Sequence, residues 1–238
     1  MPLGVRAVPV YRANGVVQRT FGAGNRLPTQ ARLDHAIDST ARSLSIAELP
    51  RIRAVLSRTF SEPLRTDARY PFAYPRLDPL VAEALPAALM RSRAAEINDL
   101  AVLLILQGAH RRDTVDPAHD MSAAAAYAIL NRLRQTVPSC DVQLNLAFLV
   151  ASDTIKWRAE TRTEFERAAE LCDDPTPLWL LGQYQIAGAC SLCDLSEAER
   201  AEQLDQAVRT FTRLERDHPE VPLGLAGQAD VLLRRAED

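Results

Sequence analysis

The sequence has 238 residues with a net charge of −3, and its 47% hydrophobic and 25% charged residues are ordinary values for a folded soluble protein. The longest apolar run, residues 100–106, is far too short to cross a bilayer, and the first 12 residues contain no continuous apolar segment typical of a secretory signal. We therefore expect a cytoplasmic protein whose four cysteines are reduced thiols.

Basic residues are concentrated at the front of the chain. Lys156 is the only lysine among 28 basic residues, which together with abundant alanine is typical of a GC-rich bacterial coding sequence. Residues 1–93 hold 14 arginines against seven acidic residues, a net charge of +7, and the remainder carries −10. The front part could contact nucleic acid, or it could pack on the acidic part of its own chain.

The N-terminal arm, residues 1–27, differs from everything that follows. Two short runs rich in Val, Tyr and Phe flank the pair Asn14-Gly15. Because a type I′ turn needs positive φ at both central residues, this pattern predicts a β-hairpin or an extended arm.

Residues 28–92 predict a small helical region. Helical spacing of apolar residues covers 29–44, and a second helix over 45–60 is predicted to begin with a capping box formed by Ser45 and Glu48. Residues 69–80 carry three prolines and three aromatic residues, so we expect an ordered connector and no regular helix there.

Beyond Pro86 the pattern is helix after helix, with short breaks that carry Pro or Asp. The predicted helices lie near residues 86–110, 121–136, 140–153, 157–172, 177–193, 197–217 and 222–236.

One eight-residue segment occurs twice in similar form. PLWLLGQY at 177–184 is repeated as PLGLAGQA at 222–229, and the spacing of 45 residues favours repeated structure over a catalytic motif. We expect each copy to begin the first helix of a helix pair. Gly182 and Gly227 would then allow the neighbouring helix to approach closely.

The second helices of the pairs share a pattern of their own. Residues at relative offsets 0, 4 and 7 lie on one helical face, which we expect to be buried, and a proline follows at offset 12. The three sets are Ala126, Leu130, Leu133 and Pro138; Phe165, Ala169, Cys172 and Pro177; and Ala207, Phe211, Leu214 and Pro219.

This pattern resembles the tetratricopeptide repeat, whose second helix carries A-x3-F-x2-A-x4-P. The resemblance covers residues 93–238 and implies an all-α fold, a right-handed superhelical array of helix pairs that follows the N-terminal arm and the small helical region. The predicted repeats are 93–138, 139–177, 178–219 and a partial one, 220–238. The partial pair predicts either a capping helix or the front part of a longer protein.

The resemblance also implies how the protein works. First helices would line the concave side of the array and bind a protein or peptide there through polar side chains. The partner-binding candidates are Asp99, Asn145, Gln183 and Gln228. The leading hypothesis is a protein–protein interaction adaptor without catalysis. The alternative is a sensing or regulatory module of a larger protein, and the third hypothesis is nucleic-acid binding through residues 1–93.

Only one short motif has chemical potential of its own. Cys190 and Cys193 form a C-x-x-C pair, but a zinc site needs two more ligands and a redox pair needs a βαβ context. We expect two small core residues, with metal or redox chemistry as the weaker alternative. The sequence shows no catalytic motif, and we expect no cofactor.

Overall fold

The computed structural model of the chain describes residues 29–46, 48–49, 77–110, 118–151, 158–189 and 195–237. Within these residues it contains ten helices and no strand, which confirms the predicted all-α class for this part of the chain. The hairpin predicted within residues 1–27 and most of the helix predicted over 45–60 lie outside the described residues. The helices are α1 Gln30–Ser43, α2 Leu77–Ala84, α3 Ala87–Ser92, α4 Ala94–His110, α5 Ala118–Thr136, α6 Cys140–Ala151, α7 Arg158–Leu171, α8 Thr176–Gly188, α9 Glu197–Asp217 and α10 Leu223–Glu237.

The chain divides into two compact units, Met1–Leu149 and Val150–Asp238. The boundary falls inside α6 and therefore inside the predicted repeat 139–177. No described helix is long and apolar enough to cross a membrane.

In the first unit α4 packs against α1, α3 and α5, and α5 also packs against α2 and α3. Residues 100–105 of α4 are all buried, as expected for a helix with neighbours on several sides. A polar chain joins three helices within this core. Gln107 donates a hydrogen bond to Asp34 at 2.5 Å and accepts one from Ser122 at 2.8 Å, so its buried amide is satisfied on both sides.

In the second unit α8 packs against α7, α9 and α10, and α9 packs against α10. The longest helix, α9, begins with a complete capping box in which Ser196 and Glu199 each bind the other's backbone N–H. Its apolar face forms the centre of this unit's core, which consists of Leu178, Ala189, Leu204, Ala207, Phe211, Leu214 and Val231.

The predicted buried face of the second helices is confirmed in α5, α7 and α9. Of the nine residues at offsets 0, 4 and 7, eight are buried and Ala169 is half-buried. Pro138 and Pro219 follow the ends of α5 and α9 as expected. Pro177 instead lies in the first turn of α8, where a backbone N–H has no partner within the helix and proline is therefore tolerated.

Three local predictions were wrong. The helix predicted over 86–110 is broken at Arg93, which is not helical (φ −130°, ψ 33°). Residues 77–80, assigned to the connector, form the first turn of α2, and Pro79 is tolerated at this early position. Ser45 does not have the extended backbone conformation of a helix N-cap residue. With φ at 56° it ends α1 in a Schellman motif, in which Ile46 N–H binds Ala41 C=O at 2.9 Å.

Candidate interaction surface

The ring of Phe211 of α9 lies against both glycines of the repeated octet. A Cβ atom placed on Gly182 of α8 would come within 2.3 Å of the Phe211 ring, and one placed on Gly227 of α10 would come within 2.2 Å. Both glycines are therefore required for close helix contact, as the sequence predicted. The two octets therefore do not form two separate, equivalent helix contacts, because both helices lie against the same ring.

Further contacts fix α8 on α9 around this ring. The Trp179 and Phe211 rings are 5.6 Å apart between centroids and tilted by 53°, a favourable aromatic arrangement. Thr210, which precedes Phe211 in α9, donates a buried hydrogen bond of 2.8 Å to Gln185 of α8. One turn further along α9, Gly224 of α10 lies against the Glu215 backbone, since an added Cβ atom would come within 2.7 Å of the Glu215 nitrogen.

The side of α10 that points away from α9 is apolar and exposed. Its leucines Leu225, Leu232 and Leu233 are 58%, 64% and 65% exposed. At 100° per residue these side chains and three exposed alanines share one side of the helix, with no charged residue among them. We call this surface the α10 face; it consists of Leu225, Ala226, Ala229, Leu232, Leu233 and Ala236.

The 45-residue repeat places similar residues on α8. On the side of α8 opposite Gly182 lie Leu180 and Tyr184, which are half-buried, and Ala187, which is exposed. They are the counterparts of Leu225, Ala229 and Leu232. Both helices turn their glycine towards α9, so both direct these apolar side chains away from it.

Gln183 and Gln228, two of the predicted binding residues, hold the helices together. Gln183 of α8 donates a hydrogen bond of 3.2 Å to Asp230 of α10, and Gln228 donates one of 2.9 Å to Glu215 of α9. Both glutamines are half-buried at the edges of the helix contacts. A role in binding a partner stays a prediction for both.

The other two predicted binding residues lie elsewhere. Asp99 and Asn145 have no exposed surface, and the Asn145 amide donates a buried hydrogen bond of 2.9 Å to Asn98. A side chain must be accessible to contact a partner, and this is not the case for either residue in this structure. Sequence spacing marked them as polar residues on first helices but could not reveal their depth.

The outer surface of α9 carries paired charges. Arg216 donates a hydrogen bond of 2.8 Å to Asp217, and this bond holds the pKa of the Asp217 carboxyl below its ordinary value. Hydrogen bonds from Gln206 and then from Arg209 lower the pKa of Glu202 in the same way. Arg235 of α10 pairs with Asp205, so an ion pair also joins the two helices. This side of the unit is polar and solvated, in contrast to the α10 face.

The cysteines depart from the expectation of reduced thiols. Cys140 and Cys172 are each disulfide-bonded, and no cysteine among the described residues is free. The prediction is therefore wrong for these two residues. Disulfides persist mainly in oxidising compartments, so the structure does not support a cytoplasmic location. Cys190 and Cys193 lie outside the described residues, as do most arginines of residues 1–93, so neither the C-x-x-C hypothesis nor the nucleic-acid hypothesis is tested.

Within the described ranges no group of three or more His, Cys, Asp or Glu side chains could hold a metal ion. Comparison with protein-family models, with curated proteins and with solved structures gave no match to this chain.

Proposed function

We propose that the chain is a protein–protein interaction module without catalysis of its own, and that it binds a partner protein or peptide through the first helices α8 and α10. The observation that carries this proposal is the α10 face. Three leucines, each more than half exposed on one uncharged side of a helix, are unusual on a protein surface that contacts only water.

The repeated octet supports a surface that extends over both helices. The apolar side chains opposite the two glycines occur at matching positions of α8 and α10 and point away from α9. The Gln183–Asp230 hydrogen bond shows that the two helices are neighbours. A partner that covers both would bury the exposed leucines of α10 together with the half-buried Leu180 and the exposed Ala187 of α8.

We also propose that the helix pairs stack as in a tetratricopeptide array. In the second unit α8 contacts both its own second helix and the next first helix, which is the neighbour pattern of stacked helix pairs. Buried offsets 0, 4 and 7 in three second helices support the same arrangement.

The test immobilises the full chain as bait and identifies the proteins that it retains from a cell lysate. The bait variant Leu225→Glu/Leu232→Glu places two charges on the α10 face, where both positions are exposed and folding should be unaffected. The matched control is Leu171→Glu on α7, a leucine that is 44% exposed and lies outside the α10 face. Circular dichroism verifies that both variants are folded.

We expect the proteins retained by the wild-type chain to be lost by the double variant and kept by Leu171→Glu. Replacing both Cys190 and Cys193 with alanine should leave retention unchanged, because the proposal assigns them no role. Retention that is indifferent to Leu225→Glu/Leu232→Glu, or lost on the cysteine change, would contradict the proposal.

A further inference from the structure

We draw no further inference here: the strongest candidate, the exposed apolar α10 face around Leu225, Leu232 and Leu233, carries nothing beyond the proposed function because nothing in the structure shows what covers it.

Discussion

Gly227 of α10 lies directly against the ring of Phe211, and Gly182 of α8 lies against the same ring. One aromatic residue therefore sets the spacing of three helices. The two copies of the octet recur in the sequence because two helices must each present a residue without a side chain to the same ring.

Adding a methyl group at either glycine should destabilise the second unit. Gly182→Ala or Gly227→Ala in an ordinary helix would stabilise by about 1 kcal/mol, but here the new Cβ atom overlaps the ring. We expect a net cost of about 1–3 kcal/mol, measured by thermal or urea unfolding. In a Phe211→Ala background the same glycine change should become neutral or stabilising. An additive double mutant would contradict the contact.

Asn145 and Gln183 should respond differently to alanine, although the sequence assigned both to partner binding. Asn145→Ala leaves the buried Asn98 without its 2.9 Å partner and should cost about 1–3 kcal/mol of unfolding free energy. Gln183→Ala removes one exposed hydrogen bond and should cost less than about 0.5 kcal/mol. Equal effects on stability would contradict the observed depths of the two side chains.

Cys140 and Cys172 should resist alkylation until the protein is reduced. The chain is denatured without reductant and alkylated, and a second sample is alkylated after reduction. Mass spectrometry then shows in which sample Cys140 and Cys172 carry the label. Reduction should also lower the unfolding temperature, because each disulfide typically contributes about 2–4 kcal/mol. Alkylation of either cysteine before reduction would restore the expectation of free thiols.

The stability that Asp217 contributes at the end of α9 should depend weakly on pH in the acid range. The pKa of Asp217 is lowered by the Arg216 hydrogen bond, so its contribution to stability is complete above the unfolded value of about 3.9 and is lost as the pH falls through the folded pKa. Arg216→Ala should raise the pKa of Asp217 in an NMR titration and leave Glu202 alone. Arg209→Ala should raise the pKa of Glu202 and leave the pKa of Asp217 unchanged, although Gln206 still lowers the pKa of Glu202. No difference between the two variants would contradict these pairs.

Helix positions and the buried face of the second helices were predictable because both depend on local spacing. The offsets of Ala207, Phe211 and Leu214 put them on one side of a helix wherever that helix packs. How deeply a polar side chain is buried was not predictable in the same way. Asn145 and Gln183 have similar sequence surroundings, yet one is buried and the other half-buried, because burial depends on which helices lie around them.

The α10 face was partly visible in the sequence. Leu225, Leu232 and Leu233 could be recognised as an apolar flank left open, but their exposed fractions required the position of α9. That Cys140 and Cys172 are disulfide-bonded could not be inferred, since pairing depends on distances between cysteines in the folded chain.

The central claim is that the α10 face is an interface, and hydroxyl-radical footprinting of its leucines tests this most directly. The purified chain is labelled in dilute solution, then at high concentration and together with its retained proteins. We predict that Leu225, Leu232 and Leu233 are modified in dilute solution and protected in at least one of the other states, while Leu171 is modified in all of them. Leucines on the α10 face that are modified equally in every state would contradict the account.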